Sequence, residues 1–93
     1  MTTVVVFADS ARRALIEILD FIALDKPQAA LDFIDEVEGR VVGMLAQFPE
    51  AGARYQDDKR FVTVRGYSVV YRHDAAAGVV QVLDVFGAGR NWR

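Results

Sequence analysis

Few side chains in this sequence could take part in catalysis. The chain has a single histidine, His73, no cysteine and no glycine-rich phosphate loop, so the usual serine or cysteine triad is not supplied. His73 is next to Asp74 at a predicted strand end, where it is either an acid–base group or an ordinary surface histidine. The carboxylates of the second predicted helix are either its solvated face or a metal site; they are Asp32, Asp35, Glu36 and Glu38. We expect no catalytic residue, no metal site and no cofactor.

The basic side chains of the C-terminal half are better suited to binding. Six of the seven are arginine, whose planar guanidinium matches the oxygens of phosphate and carboxylate groups. They are Arg54, Lys59, Arg60, Arg65, Arg72, Arg90 and Arg93. Trp92 lies between the last two arginines, and Trp and Arg are enriched at binding hot spots. These arginines form either a binding surface or scattered solubilising charge, and Trp92 either contacts a partner or folds back onto the protein.

The charges divide between the two halves of the chain. The 93 residues carry a net charge of -2. However, residues 1–53 hold nine acidic and four basic side chains, whereas residues 54–93 hold four acidic and seven basic ones. A chain of this length builds one modest core, so we expect a single domain over residues 1–93. Its N-terminus does not resemble a signal peptide, and the lack of cysteine fits a reducing cytosol, which predicts a cytoplasmic protein.

The first elements are predicted from their apolar patterns. Residues 3–7 are β-branched and aromatic without alternation, which predicts a strand buried on both faces. Asp9 or Ser10 is then expected to cap a first helix. A second helix begins at Pro27, and Gly39 and Gly43 lie on one face of it, where a neighbouring backbone could approach. Its core-facing stripe is Ala30, Phe33, Ile34, Val37, Val41, Met44, Leu45 and Phe48.

The remaining elements are predicted to be strands. Residues 50–59 are polar and are predicted as a loop. Strand-like runs follow at 60–65, 67–73 and 79–85, separated by short turns that fit antiparallel hairpins. In the middle run Arg72 shares a face with Ser68 and Val70. The order βααβββ predicts an α+β fold, in which an N-terminal strand and an antiparallel helical hairpin pack on a mainly antiparallel sheet whose other face is free to be polar.

Both helices also carry apolar side chains outside their core-facing stripes. They are Ile16, Phe21, Leu24, Leu31 and Val42. Leu31 and Val42 are eleven residues apart and are expected on one side of the second helix. If these side chains are exposed together, they form an apolar patch of the kind that binds proteins.

Several short stretches, in a consistent order, carry a family resemblance. They are residues 7–11 (FADSA), 20–23 (DFIA), 25–30 (DKPQAA), 33–35 (FID), 45–49 (LAQFP) with Gly52, 66–72 (GYSVVYR) and 82–85 (VLDV) leading to Gly87 and Arg90. Together they cover nearly the whole chain. The sequence therefore resembles the RelE/ParE superfamily of toxins from bacterial toxin–antitoxin pairs, whose βααβββ fold agrees with the predicted order.

The two branches of that superfamily imply different activities. RelE-like members are ribosome-dependent ribonucleases that use an arginine directly after a Gly-Tyr pair, a second arginine after the last strand and a tyrosine near the C-terminus. Here Ser68 stands in the first position, Arg90 matches the second, and a terminal tyrosine is missing. ParE-like members poison DNA gyrase by binding it. The sequence resembles them more closely at the junction between the helices, residues 25–30.

The resemblance thus implies a ParE-like toxin that inhibits DNA gyrase by binding. The alternatives are a RelE-like endoribonuclease and an inactive pairing module. The implied target-binding residues are Arg65, Arg72, Arg90 and Trp92. A cognate ParD-like antitoxin is expected to form a hetero-oligomer with the toxin through the apolar patch, by a segment that folds on binding. Neither sequence-specific nucleic-acid binding nor membrane binding is expected.

Overall fold

The computed structural model describes residues 3–87 of the chain. Its elements are β1 (Val4–Phe7), α1 (Asp9–Asp25), α2 (Pro27–Glu36), a π-helical turn (Val37–Val41), α3 (Val42–Gln47), β2 (Ala53–Arg54), β3 (Lys59–Val64), β4 (Tyr67–Asp74) and β5 (Val79–Gly87). The strands form one sheet in the order β1-β5-β4-β3-β2. β1 runs parallel to β5, and the other neighbours are antiparallel. The predicted α+β architecture is confirmed, with one additional strand.

The two long helices form a hairpin because the chain reverses at a single residue. Lys26 is extended, with φ -140°, since a residue before proline is disfavoured in the helical region. Its N–H still donates to the carbonyl of Ile22 at 2.8 Å, which closes α1. Pro27 then occupies the first turn of α2, where a missing N–H costs nothing. Buried residues of the helices, including Ile18 and Phe33, face one side of the sheet.

The start of α1 differs from the prediction. Neither Asp9 nor Ser10 caps the helix, and Ala8 is its N-cap residue without a side-chain hydrogen bond. The hydroxyl of Ser10 instead donates to the carbonyl oxygen of Leu83 at 2.7 Å. The ladder between β4 and β5 skips Leu83, and a carbonyl outside the ladder needs another donor. Ser10 therefore ties the helix to an irregular point of the sheet.

The π-helical turn explains how a single helical face stays in the core. Phe33, Val37, Val41 and Leu45 are all almost fully buried, although they are spaced by four residues. In a regular helix of 3.6 residues per turn, such a set would drift by about 120° over three steps. The wider turn at Val37–Val41 offsets this drift because it accommodates an extra residue. The second helix is therefore continuous but locally unwound.

Three details of the second helix correct the prediction. Phe48 was expected in the core stripe but is 62% exposed, since α3 ends at Gln47 and the chain turns away at Phe48. Gly39 and Gly43 were expected to admit a neighbouring backbone. No atom lies within 4 Å of a Cβ built at either glycine. Both glycines face open space, so close packing does not require them.

The first strand is buried on one face only, contrary to the prediction. Val5 and Phe7 pack against the core, whereas Val4 and Val6 are 58% and 41% exposed. β1 lies at the edge of the sheet, and the helices cover only one face of that sheet. The continuous apolar run therefore does not indicate burial on both sides.

The polar segment before β3 contains a strand that the sequence did not predict. Ala53 and Arg54 pair with Phe61 and Arg60 at the edge of the sheet, and β3 already begins at Lys59. A two-residue strand has no periodicity from which it could be recognised. The predicted loop at residues 50–59 is thus shorter than expected.

The hairpins and the two faces of the sheet agree with the prediction. Arg65 and Gly66 connect β3 to β4 with φ values of +50° and +82°, as a two-residue hairpin turn of type I′ requires. On β4, Val69 and Tyr71 belong to the core. Alternation places Ser68 and Arg72 on the opposite face, which no helix of residues 3–87 covers and which we call the open face.

Candidate functional site

A polar row crosses the open face of the sheet. Lys59 on β3 is the register partner of Arg72 on β4, and Arg72 is the partner of Gln81 on β5. Arg72 Nη2 donates to Gln81 Oε1 at 3.3 Å. Next to this row, the rings of Tyr55 and Phe61 meet edge to face with centroids 6.2 Å apart. Two cations beside two aromatic rings can bind an anionic or planar group of a partner.

Arg65 also belongs to the predicted target-binding residues, but it lies away from Arg72. Arg65 is in the β3–β4 turn and Arg72 is near the far end of β4, which separates them by roughly 20 Å along the strand. Arg65 Nε donates to Glu36 Oε1 at 2.7 Å. The structure therefore does not bring Arg65 and Arg72 into one patch. The other two predicted residues, Arg90 and Trp92, lie outside the described residues.

Glu36 joins Arg65 to a second arginine, and we call these three residues the Glu36 cluster. Arg40 Nε lies 3.2 Å from Glu36 Oε2, and Arg40 Nη2 donates to the carbonyl oxygen of Thr63 at 3.2 Å. The cluster links the π-helical turn to the β3–β4 hairpin. Both arginine side chains are about half exposed, so their remaining donors can reach a partner.

A hydrogen-bonded network around Gly52 was not predicted from the sequence. The Gly52 N–H donates to the hydroxyl of Tyr71 at 2.9 Å, and Arg60 Nη1 donates to the Gly52 carbonyl at 2.9 Å. The Glu50 carboxylate lies 3.8 Å from Arg60 Nη2 and 3.1 Å from His73 Nδ1. These contacts join residues 8 to 23 positions apart, so local sequence patterns do not indicate them.

His73 is a member of this network and is not an ordinary surface side chain. It is only 14% exposed and contacts Glu50. Beside it lies a cleft of about 200 Å³, lined by Glu50, Arg54, Asp57, Asp58, Lys59, Arg60 and His73. Three carboxylates face three cations there, so the cleft has little preference for either sign of ligand.

The burial of Tyr71 predicts a specific pH dependence of stability. Burial raises the pKa of Tyr71 above 10.0, although the Gly52 N–H and Arg60 act in the opposite direction. As the pH rises, the unfolded chain therefore loses the Tyr71 proton before the folded chain does. The contribution of Tyr71 to the free energy of unfolding is fully retained below the ordinary tyrosine pKa and is lost as the pH rises through the pKa of the folded state.

The variant Tyr71→Phe tests this dependence. It should lower the free energy of unfolding near neutral pH by about 1–3 kcal/mol, because the buried Gly52 N–H loses its acceptor. It should also have a shallower decline in stability above the ordinary tyrosine pKa. Urea unfolding of both proteins across that range is the measurement. If the free energy of unfolding declined in parallel in the two proteins, Tyr71 would not be the group that causes the pH dependence.

The helical hairpin exposes most of the predicted apolar patch. Ile16, Phe21, Leu24 and Leu31 are each more than half exposed, and Leu24 reaches 87%. Val42 is half-buried, because the π-helical turn lies between it and Leu31 and changes its angular position. At the tip of the hairpin a cleft of about 460 Å³ is lined by Phe21, Ile22, Leu24, Asp25, Lys26 and Ala29. Of the predicted patch, Phe21 and Leu24 line this cleft, whereas Ile16 and Leu31 do not.

Two carboxylates of the second helix, Asp32 and Glu36, bind other side chains. Glu36 belongs to the cluster described above, and Gln28 Nε2 donates to Asp32 Oδ1 at 3.3 Å. Among residues 3–87, no group of three or more His, Asp or Glu side chains could hold a metal ion. In the same part of the chain, every helix is too short or too polar to cross a membrane.

Comparisons with solved structures define the class of fold. The chain is similar to a structure of the chromosomal ParDE toxin–antitoxin system of P. aeruginosa, with a TM-score of 0.78 and 20% identity, over 92% of this chain and 96% of that one. The RelBE2 toxin–antitoxin complex of Mycobacterium tuberculosis matches with a TM-score of 0.64 and 20% identity, over 94% of this chain and 99% of that one. The intact RelBE toxin–antitoxin complex of E. coli matches with a TM-score of 0.60 and 19% identity, over 95% of this chain and 99% of that one. The fold is therefore shared with toxins of the RelE/ParE type.

The family model makes the assignment more specific. The model of the ParE toxin of the type II toxin–antitoxin system parDE matches residues 5–92. A search of proteins with curated descriptions gives no match. Because the family model spans almost the whole chain, the chain belongs to the ParE toxin family, the ParE-like branch of the RelE/ParE superfamily.

Proposed function

We propose that this toxin inhibits DNA gyrase by binding it and that a cognate ParD-like antitoxin holds it inactive. The observation that carries the proposal is the match of the ParE toxin model to residues 5–92. Members of this branch are expected to act by occupying a surface of the target. A small domain with exposed arginines suits that mode of action.

One position in the sheet favours binding over RNA cleavage. Ser68 stands where RelE-like ribonucleases have an arginine after the Gly-Tyr pair. It lies on the open face, and its register partners are Thr63 and Phe86, neither of which is positively charged. A ribonuclease must stabilise the negative charge that develops on the scissile phosphate. Within residues 3–87 the register partners of Ser68 supply no cation, which supports a toxin that does not cleave RNA.

The exposed apolar side chains of the hairpin support an antitoxin partner. Phe21 and Leu24 line the cleft at the hairpin tip, and exposed apolar surface of this kind is typical of protein-binding sites. The similar ParDE and RelBE structures are toxin–antitoxin systems. We therefore propose that the antitoxin covers Ile16, Phe21, Leu24 and Leu31, together with the half-buried Val42.

The second candidate function is a ribosome-dependent endoribonuclease. It is favoured by the row of Lys59 and Arg72 on the open face, where cations could contact an RNA backbone. Pulse labelling of DNA, RNA and protein synthesis after induction in cells separates the two candidates. Gyrase inhibition predicts an early fall in DNA synthesis. An immediate stop in protein synthesis with new cleavage sites in messenger RNA would favour the ribonuclease, and unchanged growth would contradict both.

A further inference from the structure

Two departures from regular backbone geometry meet in the Glu36 cluster. Arg65 has a φ of +50°, in the left-handed region that side chains other than those of Gly, Asn and Asp rarely adopt. The π-helical turn begins at Val37, directly after Glu36. Short π-helical segments often occur at functional sites. The ion pair between Arg65 and Glu36 connects these two irregular points.

The stability of the fold does not explain an arginine at position 65. The first residue of a two-residue hairpin turn of this type is most favourably Asn, Asp or Gly. The Arg65 side chain is 51% exposed, and exposed ion pairs contribute little to stability. Asn would therefore suit the backbone better, and the ion pair adds little stability to offset the strain. A contact outside the chain would give this side chain a role that the stability of the fold does not.

The geometry of the cluster leaves one edge of Arg65 available. Glu36 accepts from Arg65 Nε through one oxygen and approaches Arg40 Nε through the other. Arg40 is also anchored to the carbonyl oxygen of Thr63. Among residues 3–87, Arg65 makes no hydrogen bond through Nη1 or Nη2. A guanidinium fixed at Nε presents these two nitrogens as a fork for a carboxylate.

The charge of the cluster suits an isolated carboxylate better than a nucleic acid. Two arginines share one glutamate, so the cluster has a single positive charge left over. A nucleic acid presents a row of phosphates and is bound by several cations, which this cluster does not supply. A single carboxylate can still form two hydrogen bonds with the fork of Arg65.

We propose that Arg65 is a docking residue for a carboxylate on the protein target of the toxin and that Glu36 and Arg40 are positioning residues. Glu36 holds the guanidinium in one orientation, and Arg40 fixes Glu36 against the sheet. The inference rests on the proposed function, because it assumes a protein target that the toxin inhibits by binding.

The variant Arg65→Asn separates docking from folding. Because Asn is favoured in the left-handed turn, the melting temperature should stay unchanged or rise by a few degrees. The concentration that inhibits purified gyrase by half should nevertheless increase about tenfold or more, as expected for the loss of a charge-assisted bidentate contact. Arg65→Lys, which keeps the charge without the fork, should lose part of the inhibition. Arg13→Asn, at an exposed arginine of α1, is the matched control and should inhibit like the unmodified protein.

The outcomes distinguish this inference from the proposed function. Full inhibition of gyrase by Arg65→Asn would overturn the docking role. Binding of the unmodified toxin to DNA alone would also overturn it, if Arg65→Asn loses that binding. If the unmodified protein leaves gyrase unaffected yet arrests growth, gyrase is not the target. In that case the growth arrest caused by Arg65→Asn tests the docking role. Weaker arrest than that caused by the unmodified toxin supports the role, and equal arrest overturns it. A chain that neither arrests growth nor inhibits gyrase would overturn both.

Discussion

Replacing Phe33 by alanine is expected to lower the free energy of unfolding by about 3–5 kcal/mol. Phe33 is 1% exposed and lies between the helical hairpin and the sheet. Its ring meets that of Tyr67 with centroids 5.0 Å apart and a 59° tilt. This contact contributes about 0.5–1.5 kcal/mol to stability beyond the burial of apolar area. Because small domains are stable by only about 5–15 kcal/mol, the variant should be close to unfolding. Urea denaturation followed by circular dichroism measures the change.

Phe48→Ala is the matched control for this substitution. Both phenylalanines belong to the apolar stripe predicted from the sequence, but Phe48 is mostly exposed at the end of α3. Its removal should change the free energy of unfolding by no more than about 0.5 kcal/mol. Equal losses in the two variants would contradict the packing of the hairpin against the sheet.

Gly52→Ala is expected to lower the free energy of unfolding by about 2–4 kcal/mol, through overpacking and weakened hydrogen bonds of a buried amide. A Cβ at Gly52 would lie 2.6 Å from the carbonyl oxygen of Phe61 and 2.7 Å from the hydroxyl of Tyr71. Neither group can move freely, since one is backbone of β3 and the other is fully buried. The segment before β2 would have to shift away from the sheet.

The same substitution at Gly43 should have the opposite effect. Nothing lies within 4 Å of a Cβ built there, and alanine favours a helix over glycine by about 0.5–1 kcal/mol. Thermal unfolding of Gly52→Ala and Gly43→Ala under the same conditions should therefore give shifts of opposite sign. A lower melting temperature for Gly43→Ala, or an unchanged one for Gly52→Ala, would contradict the structure.

The periodic parts of the fold could be predicted from the sequence. The spacing of Phe33, Val37, Val41 and Leu45 defines a buried helical face, and the structure buries all four. The three C-terminal strands were predicted to within two residues of their observed ends. These elements were predictable because each contains enough residues for its period to be visible.

The parts that could not be predicted depend on contacts between distant residues. The place of β1 at the sheet edge follows from its pairing with β5, more than 70 residues later. The hydroxyl of Ser10 is drawn away from the helix by a carbonyl at Leu83. The Gly52 network likewise forms only when Tyr71 and Arg60 are placed beside it. Local sequence windows contain no information on such partners.

The division of charge between the halves of the chain also has a structural meaning. Ion pairs join Glu36 to Arg65 and Glu50 to Arg60, so each links an acid of the first half to a base of the second. Part of the apparent charge separation is therefore used inside the molecule. Arg72 makes its contact with the neutral side chain of Gln81 and remains a candidate for binding a partner through its charge.

The proposed inhibition of DNA gyrase by binding can be measured in a supercoiling assay with purified components. Increasing amounts of the folded toxin are added to gyrase, relaxed plasmid and ATP, with and without prior addition of the cognate antitoxin. Supercoiling should be lost as the toxin concentration rises and retained when the antitoxin is bound first. Undiminished supercoiling in an excess of toxin, with folding verified by circular dichroism, would show that the toxin does not inhibit gyrase.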